Sequence, residues 1–330
     1  PPRRCVRRAA AAPALSDGVD HVLTRQARLD QVIRLADGRV LGYAEYGPIA
    51  GPSLFLFHGL PGSRLAVAEM WPEDPVEVRV IAPDRPGAGS SAFQPGRRLT
   101  DWADDVRQLA DSLGIERFLV AGFSGGGPHA LAVAHGLPDR VIAMGSVSGA
   151  GPIDTRDALK DMNRANRLTF TLARKAPALL RLVVAQHAYG MKRHPAKVLE
   201  SAARDRSLPE ADREVLTNPR LRELMITAAS EAFRQGVRGI VHEARIYAQP
   251  WGFDPAAVKP PVYIWHGDED TNVPVAMAQH LAARIPDSSL TIYPGEGHLI
   301  VPKHWDEILA ALLSGYPQSA KAEPGSPPPG

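Results

Sequence analysis

The sequence predicts an α/β fold built on a mostly parallel sheet. Three observations predict it. Short runs that are almost wholly apolar, such as SLFLF at 53–57, VRVIAP at 78–83 and FLVAGF at 118–123, suit strands covered on both faces. Between them lie segments with helical spacing, where Trp102, Val106, Leu109 and Leu113 recur on one side. The two kinds alternate, which argues for right-handed βαβ units and a helix-covered sheet.

The elements follow in order. Residues 31–47 read as a hairpin around the Asp37-Gly38 turn. Two strands come next, at 53–57 and 78–83. A helix over 99–114 has Thr100 as its expected cap and Gly114 at its end. Strand, helix and strand follow at 118–123, 125–137 and 140–149. From about 151 to 258 strand-like runs disappear, and four helical patterns replace them, at 159–176, 178–192, 209–218 and 221–236. After Pro260-Pro261 the alternation returns: strand at 262–267, helix at 275–285, strand at 289–293 and a last helix at 304–315. The expected organisation is a disordered start (1–28), a first core part (29–150), a helical insertion (151–258), a second core part (259–316) and a disordered tail (317–330). No internal repeat marks a solenoid.

Composition narrows the function. Of 330 residues, 44% are hydrophobic and 22% charged, as in an ordinary globular protein. The net charge is +2, and Arg3, Arg4, Arg7 and Arg8 precede the first acid, Asp17. The remainder is therefore close to neutral and shows no basic face that would recruit nucleic acid. The single cysteine, Cys5, cannot close an intrachain disulfide. No apolar run reaches the ~18 residues of a membrane span. The Arg-rich start resembles a targeting segment in composition but lacks a long apolar core. These features fit a cytoplasmic protein without stable membrane insertion, and no basic amphipathic helix is read that would bind a membrane surface.

The chemistry centres on Gly122-Phe123-Ser124-Gly125-Gly126, a G-x-S-x-G pattern. A bare match is weak, but this one leaves a strand and opens a helix, the context in which a nucleophilic serine sits on a strained turn. A serine hydroxyl needs a base. His298, on the loop after the last strand, is placed where open α/β sheets gather their sites. The base needs an acid to fix its tautomer, and Asp268, Glu269 and Asp270 follow the preceding strand. An oxyanion needs donors. The N–H of Gly125 is one. The loop His58-Gly59-Leu60-Pro61-Gly62 offers another, and Leu60 is preferred because Pro61 has no N–H. His58, His129 and His266 read as packing residues.

Five stretches together resemble the α/β-hydrolase superfamily across about 30–316: HGLPGSR (58–64), PDRPGAGSS (83–91), GFSGGGPHA (122–130), GDEDTNVP (267–274) and GEGH (295–298). The resemblance implies an eight-stranded, mostly parallel α/β-hydrolase sheet with a helical lid inserted after the sixth strand. It also selects Asp270 as the acid, since the family's acid commonly ends a G-x-x-D turn before a Val-Pro pair, here Val273-Pro274; Asp268 is the alternative. Within the superfamily the chain is similar to serine-nucleophile, carboxylesterase-like enzymes. Epoxide hydrolases and haloalkane dehalogenases of this outline carry aspartate where Ser124 stands. HGLPG is shared with proline iminopeptidases, whose nucleophile is usually followed by tryptophan rather than Gly125.

The expected function is cleavage of a carboxylic ester or thioester of a small to medium apolar substrate through an acyl-enzyme on Ser124. It calls for no metal and no organic cofactor, and the expected partner is a small molecule. The same triad also serves C–C bond hydrolysis, cofactor-free haloperoxidase, lyase and acyltransferase chemistry, and a non-catalytic binding protein on this scaffold is a further alternative. Leu168, Phe170, Leu179, Leu180 and Leu182 are expected either to roof an apolar pocket or to pack the insertion on the body. The oligomeric state is not legible.

Overall fold

In the computed structural model the described residues are 27–69, 77–153 and 159–316. The expected hairpin joins β1 (Arg28–Arg34) to β2 (Val40–Tyr46). Its turn places Gly38 at φ 84, the left-handed region where glycine carries no Cβ penalty. The Leu35 N–H donates to the Arg39 carbonyl at 2.8 Å and closes it. β2 also pairs antiparallel with β4 (Arg79–Pro83). From there each neighbouring pair is parallel, through β3 (Ser53–Phe57), β5 (Phe118–Phe123), β6 (Val141–Val147), β7 (Val262–Gly267) and β8 (Ser288–Tyr293). The described strands form one sheet in the order β1-β2-β4-β3-β5-β6-β7-β8. This is the predicted eight-stranded, mostly parallel arrangement.

The bare apolar runs are explained by burial on both faces. In β3, Phe55 and Phe57 face one layer, and Phe57 meets Trp102 edge-on at 5.5 Å between ring centroids. Leu54 and Leu56 face the other layer, with Trp305 and Leu312. The first layer holds α1 (Trp102–Ser112) and α2 (Gly126–Gly136). Gly114, at φ 66, ends α1 as expected, but Thr100 does not cap it. A short 3-10 turn, Leu99–Asp101, leads in instead, and Asp101 Oδ2 accepts the Arg98 N–H at 2.9 Å.

Between β6 and β7 lie α3 (Arg164–Lys175), α4 (Pro177–Arg193), α5 (Pro195–Ala203), α6 (Glu210–Thr217), α7 (Pro219–Ala232) and α8 (Arg238–Tyr247). The sequence pattern did not reveal α5 or α8. Both are short, and α8 carries Gly239 in its first turn, a poor helix former. The fold requires that glycine, because a Cβ there would lie 2.4 Å from the Gly87 carbonyl oxygen. Arg64 ties these helices to the sheet. Its guanidinium bonds Asp84 at 2.9 Å and Glu231 of α7 at 2.6 Å. The chain closes with α9 (Val275–Arg284) and α10 (Val301–Ser314), which packs Trp305, Ile308 and Leu312 on the second layer.

The expected disordered start (1–28) and tail (317–330) lie outside the described residues, apart from Ala27 and from Arg28, the first residue of β1. Among the described residues no helix is long and apolar enough to cross a membrane.

The exits of β5 and β7 are the tightest points of the sheet, since a Cβ at either Gly122 or Gly267 would lie 2.2 Å from a backbone carbonyl oxygen. At Gly122 that oxygen belongs to Gly126, with backbone on both sides of the clash. Gly122→Ala should cost at least ~2 kcal/mol, read as a lower urea midpoint at unchanged slope. Gly38→Ala, where nothing lies within 4 Å, has only its backbone conformation to strain.

Candidate active site

β5 ends at Phe123 and α2 begins at Gly126, so only two residues make the turn. Ser124 sits in it at φ 53, a left-handed conformation that is strained for a residue with a side chain. The turn is held by backbone bonds. The Ser124 N–H donates to the Val147 carbonyl at 2.9 Å, and its own carbonyl accepts from Gly127 N–H at 3.0 Å and Ala150 N–H at 3.1 Å.

His298 lies on the loop between β8 and α10, buried, with the Phe123 ring 5.1 Å from its own. Its Nε2 is 2.9 Å from Ser124 Oγ, and its Nδ1 is 2.7 Å from Asp270 Oδ2. A carboxylate only accepts, so Nδ1 carries the proton and Nε2 is free to accept from the serine hydroxyl. Asp270, not Asp268, meets the histidine. Asp268 Oδ1 accepts the Gly295 N–H at 2.7 Å. Asp270 Oδ1 accepts the N–H groups of Asn272 and Val273 at 2.8 and 2.9 Å, leaving Oδ2 for His298.

The loops that carry the two expected oxyanion donors touch: a Cβ on Gly125 would lie 3.2 Å from Leu60 Cβ. Neither the Leu60 nor the Gly125 N–H has an acceptor among the described residues.

A family model of the alpha/beta hydrolase fold matches residues 52–304. The chain belongs to the alpha/beta hydrolase fold family. An uncharacterized protein of Mycobacterium tuberculosis is 29% identical over 272 residues, covering 81% of this chain and 76% of that protein. Haloalkane dehalogenase 2 of the same organism is 26% identical over 279 residues, covering 81% and 88%. A thermophilic esterase from Thermogutta terrifontis shares the fold at TM-score 0.57 and 22% identity, covering 89% of this chain and 99% of that one.

The electrostatics of this hydrolase site are set by groups that the sequence did not single out. Asp212, buried in α6, accepts the His298 N–H through Oδ2 at 2.9 Å and the Leu299 N–H through Oδ1 at 2.7 Å. A Cβ at Gly297 would lie 2.5 Å from this carboxylate, which explains the glycine before the histidine. Burial alone would lower the pKa of His298; the Asp270 and Asp212 carboxylates outweigh it and raise it. Burial would raise the Asp270 carboxyl, but His298 and His266 hold it well below the usual carboxylate range.

A second cluster lies under the oxyanion loops. The buried Arg85 guanidinium donates to the His58 carbonyl, and its Nη2 donates to the Gly59 carbonyl at 2.8 Å. Its Nε donates to Glu243 of α8 at 2.7 Å, and Arg97 pairs with the other carboxylate oxygen. Burial pushes Arg97 down to about 10. The Tyr247 hydroxyl lies 2.7 Å from the Gly125 carbonyl and 2.9 Å from Glu243. The histidines read as packing residues are buried as expected, and each also holds a backbone carbonyl. His129 Nδ1 meets Gly125 at 3.1 Å, His58 Nδ1 meets Gly59 at 2.9 Å and His266 Nε2 meets Val273 at 2.7 Å. His266 also lies 3.2 Å from Asp270. No sequence signal marks Asp212 or Glu243, since their partners lie on distant segments.

Asp212→Asn removes a negative charge that raises the His298 pKa. It also turns an amide N–H toward one of two backbone donors. The rise of kcat/KM with pH should therefore move to lower pH while the plateau falls roughly tenfold. A pH–rate profile with an unmoved midpoint would mean that Asp212 only props the loop.

Proposed function

We propose that this chain is a serine esterase acting through an acyl-enzyme. The observation that carries it is the hydrogen-bonded line Ser124–His298–Asp270, at 2.9 and 2.7 Å. Ser124 Oγ attacks the ester carbonyl carbon as His298 Nε2 takes its proton. The negative oxygen is held by the N–H groups of Leu60 and Gly125. His298 returns the proton to the departing alcohol as the C–O bond breaks. Water then gives a proton to His298, adds to the acyl carbon, and releases the acid and the serine hydroxyl. Asp270 holds the imidazole tautomer and stabilises the imidazolium.

Arg85 supports this reading from behind. In a trans peptide the C=O and N–H point in opposite directions. Fixing the Gly59 carbonyl therefore fixes the Leu60 N–H at the other end of the same peptide. The substrate is an apolar ester. An apolar recess lined by Phe123, Val215, Leu221, Met225, Leu299 and Val301 opens beside the neighbours of Ser124 and His298. The helices between β6 and β7 act as a lid, since α6 and α7 form one wall of that recess.

Dehalogenase chemistry, suggested by one relative, does not suit the nucleophile. Attack of a serine oxygen on an alkyl halide leaves an ether, which has no carbonyl for the second step. Halide release from haloalkanes should be absent while short p-nitrophenyl esters are cleaved.

A fluorophosphonate should label Ser124 alone by peptide mapping. Ser124→Ala should lose labelling, and His298→Ala and Asp270→Asn should lower kcat by roughly 10^4-fold or more. An adduct on another serine would overturn the assignment. Because His298 is raised above 6.5, activity should climb with pH through a midpoint above that value as the imidazole loses its proton. Arg85→Lys, which retains the charge but loses the fork, should lower kcat by about 10^2-fold with KM little changed.

A further inference from the structure

Helices α3 and α4 turn an apolar stripe toward solvent. Three of the residues expected to roof a pocket or pack the insertion face outward instead: Leu168, Leu179 and Leu182 are 51%, 49% and 68% exposed. Val183 and Tyr189 extend the stripe. The spacing of Leu179, Leu182, Val183 and Tyr189 places them along one side of α4. The opposite side is already packed. Leu180 is buried with Ala244 and Ala248, and Ala188 and Met191 with Phe233 and Ile240. Single exposed leucines need no explanation, but a contiguous stripe on one helix does.

The charge around the stripe is one-sided. From Met162 to Leu199 the chain carries eight Lys and Arg, all exposed, and no Asp or Glu. Arg174 and Lys175 sit at the end of α3. Arg193 lies within the stripe on α4, its guanidinium over the Tyr189 ring at 5.7 Å, while Arg181 and Lys192 leave the helix between the stripe and the packed side. Helical spacing in the sequence alone marks no basic amphipathic helix here. The outer side of α4 becomes visible only once its inner side is known.

We propose that the α3–α4 face docks on an anionic bilayer surface. Leu168, Leu179, Leu182 and Val183 enter the boundary of the acyl region, and the Lys and Arg side chains meet headgroup phosphates. Charge selects this occupant. A second copy seated on the same face would set the Lys and Arg of α3 and α4 against their own like charges. A nucleic acid would use the cations but leave the leucines in water. The inner side of α4 places Leu180 and Val184 beside Leu60. A docked molecule therefore holds the roof of the site against the lipid. The docking does not depend on the catalytic reading.

The test is flotation of the full-length protein with vesicles of phosphatidylcholine alone or mixed equally with phosphatidylglycerol. Partition into the anionic vesicles should exceed that into phosphatidylcholine by at least about tenfold and fall at high salt. The pair Leu179→Ser with Leu182→Ser, and the pair Arg181→Glu with Arg193→Glu, should each lower it by at least about tenfold. Both pairs should keep the parent's circular dichroism, melting temperature and rate on a soluble short-chain ester. Equal partition into both vesicles, no partition, or partition unchanged in the variants would overturn the proposal. So would a dimer in light scattering that the Leu→Ser pair dissolves.

Discussion

Ser124 has to be held in a left-handed backbone conformation where β5 passes into α2, and the surrounding structure is arranged to hold it. Such a residue costs of order 1–3 kcal/mol and persists only where its neighbours over-determine it. Three backbone hydrogen bonds to β6 and its exit and to α2 do so here. Gly122 and Gly126 leave no side chain where the backbone crosses itself. The exit of β6 repeats the device. Ser148 is also left-handed, at φ 45; its N–H donates to Trp265 of β7 and its hydroxyl to the His298 carbonyl at 2.9 Å. One strained serine presents a hydroxyl, and the next ties the histidine loop to the sheet.

The helices between β6 and β7 contribute side chains to the site. α6 supplies a carboxylate to the backbone of His298, and α8 supplies one to the guanidinium that grips the Gly59 peptide. Burying such charges is costly unless every one is paired. Here Glu243 takes Arg85 on one oxygen and Arg97 on the other, and the spare donors of Arg85 go to two carbonyls. Negative charge surrounds the histidine, which becomes a cation in the proposed reaction. Positive charge lies behind the loop that would hold the anion. This arrangement favours charge separation along the line from carboxylate to hydroxyl.

Much of this was legible in the sequence. Bare apolar runs reported the strands and period-3.6 spacing most helices, because burial on two faces or on one writes itself into local sequence. Ser124, His298 and the Leu60 loop were legible from their positions at strand exits. The acid was less so. Asp268 and Asp270 share one turn, and only the fold shows that the first is spent on Gly295. Asp212 and Glu243 were not legible at all. Their partners lie 86 and 158 residues away, and an ion pair across that span has no period. The histidines at 129 and 266 were read as packing residues because a buried ring looks alike whether or not its nitrogens work.

The insertion is attached in two different ways, and the difference divides its roles. α6 is pinned by the buried Asp212 carboxylate on the His298 and Leu299 N–H groups, and α7 and α8 by buried or half-buried charge pairs; these contacts are directional, and their rupture would strand an ion. α4 meets the rest through Leu180, Val184, Ala188 and Met191, contacts that are apolar and non-directional. A load on the outer face of α4 therefore reaches the catalytic line only through contacts able to slide. On the two proposals, the surface of α3 and α4 answers to the surroundings of the protein while α6 and α8 answer to the chemistry, so one insertion serves both.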